Sequence, residues 1–102
     1  MTRVRIAETR NDKGGTDFDF AGFPTWEDFE ILAQVLEVFG ARKIDSFEAV
    51  YLRKRVYEID DLLFTLLHHD EFGNYMYAEN PTEAIDDALR KIANRVDVKL
   101  RT

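Results

Sequence analysis

A chain of 102 residues, 45% hydrophobic and 13% aromatic, fits a single domain, here residues 1–102, and is too apolar for wholesale disorder. It has no cysteine, which excludes disulfides, thiolate nucleophiles and thiolate metal ligands. The net charge of −6 is blocked along the chain: residues 16–40 and 59–87 carry acids and no Lys or Arg, while 1–15, 41–58 and 88–102 are each net basic. If the acidic blocks share a surface, that surface repels nucleic acid and attracts a basic partner.

No run approaches the roughly eighteen apolar residues of a membrane helix. The first eight residues lack the apolar segment of a signal peptide. The cytoplasm is therefore the expected compartment, and no membrane is expected as a partner.

Arg3 to Glu8 alternates as a half-buried strand. Asn11-Asp12-Lys13-Gly14-Gly15 has turn composition, and Asp17-Phe18-Asp19-Phe20 alternates again, with the phenylalanines inward and the aspartates toward water. Thr25 caps a helix whose first-turn acids suit its positive end, and Gly40 is placed as its left-handed stop. On this helix Glu27, Glu30, Gln34 and Glu37 form a narrow polar stripe, and apolar residues fill an arc of roughly 240°. Either other elements of the chain cover that wide arc, or Ile31, Val35 and Val38 meet a second copy as a homodimer.

Residues 41–47 read as a link. Glu48 to Ile59 reads as one long strand, with Tyr51, Arg53, Arg55 and Tyr57 on one face. The segment 61–69 is apolar on both faces, which predicts a central strand covered at least in part on each side; a buried helix over 60–69 is the alternative. The turn residues Asp70 to Asn74 join it to a strand over 74–79 as a hairpin. Asn80-Pro81-Thr82-Glu83 opens a second helix, from 81 to about 95, with Asn80 as cap and Pro81 first. Val96, Val98 and Leu100 alternate with charges, as a short last strand or as a tail that orders against a partner. The expected fold is α+β: an antiparallel sheet of five or six strands with two helices packed on one face, in the order β-β-α-β-β-β-α(-β).

No catalytic residue, metal site or cofactor is expected. His68 and His69 adjoin two acids, but adjacent strand residues point to opposite faces and so do not converge on one ion. Ser46 has no nucleophile-elbow context, and no phosphate-binding glycine loop is present. Arg53-Lys54-Arg55 between Tyr51 and Tyr57 is the best nucleic-acid candidate, opposed by the net charge. The leading expectation is a small acidic, non-catalytic protein-interaction module, in its most concrete form a stoichiometric inhibitor or immunity-type protein. Asp60, Asp61, Asp70 and Glu71, with Tyr51, Tyr57, Tyr75 and Tyr77, would face a basic protein partner. The alternative is a small-ligand or metal-binding domain at the 68–74 hairpin end.

Overall fold

The computed structural model describes residues 5–101. Eight elements follow in order: β1 (Ile6–Arg10), β2 (Thr16–Phe20), α1 (Trp26–Val38), β3 (Arg42–Ala49), β4 (Leu52–Ile59), β5 (Leu62–His69), β6 (Gly73–Tyr77) and α2 (Glu83–Arg101). The strands make one antiparallel sheet in the order β1-β2-β6-β5-β4-β3, with both helices on one face. The α+β architecture expected from the pattern is therefore present, with six strands. Arg3 and Val4 of the first expected strand lie outside the described residues.

Local chemistry sets the turns. Between β1 and β2 the Asn11 side-chain oxygen accepts from the Lys13 and Gly15 amides at 3.1 and 3.0 Å, and Gly14 takes φ +80°. Between β4 and β5, Asp60 and Asp61 both adopt positive φ, 50° and 65°, in a two-residue loop of the kind that matches strand twist. Thr25 and Asp28 close a reciprocal capping box on α1. At the other end Gly40, at φ +102°, lets the Ala41 amide reach back to the Leu36 carbonyl at 3.0 Å, which ends the helix.

Three expectations are corrected. The segment 48–59 is not one strand, and 41–47 is not a link: β3 and β4 are separate strands joined at Val50–Tyr51. All eight residues of β3 are exposed, so it carries no hydrophobic alternation to read, and its turn lacks glycine and asparagine. The end of the chain is helical rather than a strand or loose tail. Val96 and Leu100 continue the inward spacing of Leu89, Ile92 and Ala93, while Val98 turns to water. Finally, α2 begins two residues late: Thr82 accepts from the Ile85 amide at 3.1 Å as its cap. Pro81 sits instead against the β1–β2 turn, so close to Gly15 that an added Cβ there would lie 2.5 Å from the proline ring.

The core lies between the helices and the sheet. Phe18, Phe20, Phe64, Leu66 and Met76 rise from the strands to meet Phe29, Leu32 and Leu36 of α1 and Leu89 and Val96 of α2. No helix among the described residues is long and apolar enough to cross a membrane.

Candidate protein-interaction surface

Alternation divides the side chains of the sheet between a helix-covered side and an open side. On the covered side, α1 docks in an unusual orientation. Its acidic stripe turns toward β4, where Glu30 accepts from both Arg53 and Arg55 at 2.7 Å and Glu37 accepts from the Tyr57 hydroxyl at 2.7 Å. The Arg53 guanidinium also lies 3.8 Å from the centroid of Trp26, where the ring face attracts it. Burial and the bond to Glu37 raise the Tyr57 phenol above its ordinary value. The outward side of α1 carries exposed apolar residues beside Glu27 and Gln34: Val38 is 76% exposed and Ile31 41%, with Val35 half-buried against the core.

The same side holds a buried polar clamp. Asn74, fully buried, donates from Nδ2 to the Phe23 carbonyl at 2.7 Å and the Thr25 carbonyl at 3.0 Å. Its Oδ1 therefore faces His68 Nδ1 at 2.9 Å and accepts from that nitrogen. His68 Nε2 lies 3.2 Å from Asp70, and the ring packs edge-on against Trp26. The clamp ties the β5–β6 hairpin to the start of α1. It occupies His68 structurally, while His69, on the other face, accepts from the Glu71 amide at 3.0 Å. Among the described residues no three His, Asp or Glu side chains converge as a metal site.

Among the described residues no helix lies over the open side, yet it mixes apolar with polar side chains, and Thr65 and Leu67 on it are buried. One row runs across the strands as Phe47, Lys54, Leu67, Tyr75 and Asp19, and the next as Asp45, Val56, Thr65 and Tyr77. Leu63 is 50% exposed, and Phe72, at the adjoining turn, 64%. The rings of Tyr75 and Tyr77 lie 5.9 Å apart. Burial and then the charge of Glu79 push the Tyr77 phenol up to about 12. Beside them, Thr9, Asp17, Asp19, Phe72 and Tyr75 line a depression of about 350 Å³. Burial raises the Asp19 carboxyl above the usual carboxylate range, and the neighbouring Asp17 charge adds to it. Both carboxylates also raise the Tyr75 phenol, after burial.

No family model, curated protein or solved structure matches this chain.

The structure separates the residues that the sequence had grouped. Asp60 and Asp61 form the turn at one end of β5, and Asp70 and Glu71 the turn at the other, about 23 Å away along an eight-residue strand. Tyr57 is buried beneath α1 and shares no surface with Tyr75 and Tyr77 on the open side. Tyr51 is exposed at the β3–β4 turn. Arg53 and Arg55 are engaged by Glu30 and largely buried, which leaves Lys54 alone of that basic trio on the open side. Sequence reasoning missed Phe47, Leu63 and Phe72 as surface residues, and treated Asp17 and Asp19 as ordinary solvated acids. The signal is the two-faced apolar pattern of Leu62 to Leu67 beside the two helices of the described residues, both of which lie on one face of the sheet.

Proposed function

We propose that this protein is a non-catalytic interaction module whose open sheet face receives a protein partner bearing basic side chains. One observation carries the reading. β5 is central and apolar on both faces; among the described residues both helices lie on one face, and on the other, where Thr65 and Leu67 are buried by neighbouring side chains, Leu63 is left half exposed. Antiparallel sheets that meet water ordinarily show polar residues there. The exposed Leu63, Phe47 and Phe72 suit a desolvated contact, the paired tyrosines supply area with polar tips, and Asp17 and Asp19 offer negative charge at the edge. A stoichiometric inhibitor of a basic protein fits this arrangement, with the Asp17–Asp19 side replacing the separated turn acids as the charged contact. Ile31, Val35 and Val38 on α1 form a second, smaller apolar strip on the opposite side of the molecule.

The test is affinity capture from the native host with the wild type, Leu63→Lys, Asp17→Asn/Asp19→Asn and Val38→Glu. A protein retained by the wild type and Val38→Glu, released by moderate salt, and lost from both open-face variants is the expected result. Equal recovery on all four refutes the assignment of the face.

A further inference from the structure

The outer edge of β3 carries an independent clue. All eight of its residues are exposed, and among the described residues no strand pairs along that edge. A long bare edge is a template for another strand, and natural proteins cover it or blunt it. The residues of this edge follow a pattern that matches itself in reverse. Lys43, Ser46 and Glu48 stand opposite Tyr57, Arg55 and Arg53 of β4, on the helix side; Arg42, Asp45, Phe47 and Ala49 stand on the open side; Ile44 is the extra residue of a bulge.

We infer that β3 pairs antiparallel with β3 of a second copy, about a two-fold axis through Ser46. Such an axis, perpendicular to the sheet, keeps helix side with helix side, so facing residues must share a side. The register centred on Ser46 meets that condition at every pair. With the bulged Ile44 left out of the pairing, it sets Lys43 against Glu48 of the second copy, twice by symmetry, Asp45 against Phe47, Arg42 against Ala49, and Ser46 against itself. Parallel pairing in register would instead stack Lys43 on Lys43 and Glu48 on Glu48, which is destabilising. The charge order of the strand, basic at its start and acidic near its end, thus selects the antiparallel arrangement and a partner with the same sequence. The assembly is a continuous twelve-stranded sheet. Its two open faces merge, with a Phe47 on each side of the axis. The inference holds whether or not another protein occupies the open face, because pairing uses the backbone edge.

Charge reversal with rescue tests the register. Sedimentation velocity across about 1–100 µM is expected to show a wild-type dimer. Lys43→Glu and Glu48→Lys each convert two attractive pairs into two repulsive ones, and each weakens the dimer by at least about tenfold. The double variant restores both pairs and returns to within about threefold of wild type. Circular dichroism confirms that each variant is folded; Arg53 keeps Glu30 when Glu48 is replaced. Because the chain has no cysteine, Ser46→Cys offers a second readout. Directly opposed strand residues approach within disulfide range, so this variant is expected to cross-link to itself on mild oxidation, whereas Val38→Cys does not. A wild type monomeric throughout that range overturns the inference. So does a dimer indifferent to both charge reversals, or a Ser46→Cys variant that cross-links no faster than Val38→Cys.

Discussion

Replacing Asn74 tests the clamp that holds α1 to the sheet. Asn74 is fully buried and makes three side-chain bonds: to the Phe23 carbonyl, the Thr25 carbonyl and His68 Nδ1. A net value of about 1 kcal/mol each gives about 3 kcal/mol for removing all three. The terms are unequal. Thr25 is exposed, so water recovers much of that bond, whereas the Phe23 carbonyl and His68 Nδ1 lose their partners in the interior. Asn74→Ala is therefore expected to lower the unfolding free energy by about 2–3 kcal/mol, about 15 °C in Tm for a domain of this size. Asn74→Asp preserves the shape but turns a carboxylate oxygen toward two carbonyl oxygens, and is expected to cost at least as much. Urea unfolding followed by circular dichroism measures both, with the slope unchanged and the midpoint shifted. If both variants unfold within about 0.5 kcal/mol of wild type, the bonding account of this clamp is wrong.

Glu30→Gln leaves Arg53 and Arg55 with a neutral acceptor. Because Glu30 is itself 42% exposed and Arg53 retains Glu48, the expected loss is about 1–2 kcal/mol in the same urea assay, well below the cost of breaking a fully buried pair. Leu66→Ala, on the covered face, is expected to cost about 3 kcal/mol, while Leu63→Lys, three residues earlier on the open face, costs under about 0.5 kcal/mol; comparable losses would mean that the open face is packed in the free protein. The folded-state pKa of Asp19 is raised, so the folded state binds its proton more tightly than the unfolded state does. Its contribution therefore worsens as pH rises from the unfolded value through the folded one. Asp19→Asn is accordingly expected to stabilise the protein at neutral pH and to lose that advantage in acid, as read from Tm against pH. Tyr77 obeys the same sign at the other end of the scale. Its phenol is raised to about 12, so stability is expected to fall as pH climbs from about 10 toward that value, in step with its ultraviolet difference absorption.

How much was legible in the sequence follows from what each segment buries. Leu62 to Tyr77 reads correctly as a hairpin because its apolar runs and its turn chemistry agree, and Gly73 takes the positive φ that such a turn needs. The start and stop of α1 are equally plain, since Thr25, Asp28 and Gly40 act through local backbone geometry. β3 was illegible because an edge strand with both faces in water has no periodicity to display. The site suffered from the same cause at longer range. Two acidic pairs near one strand look contiguous in sequence, but strand length carries them to opposite ends of the molecule. The polar stripe of α1 was seen, but not its destination. A row of glutamates ordinarily faces solvent; here two arginines and a tyrosine on β4 draw it toward the sheet.

The position of β2 constrains how the chain assembles. Strands β3 to β6 follow one another in space as in sequence, joined by loops of two or three residues, so each acquires its neighbour almost as soon as it exists. The opening hairpin has no such advantage. Among the described residues it pairs with the remainder of the sheet through β6 alone, where Phe18 meets Met76 and Asp19 meets Tyr75. During synthesis Phe18 and Phe20 must wait, uncovered, until more than half of the chain has followed them, which makes the earliest strands to emerge the last to be secured.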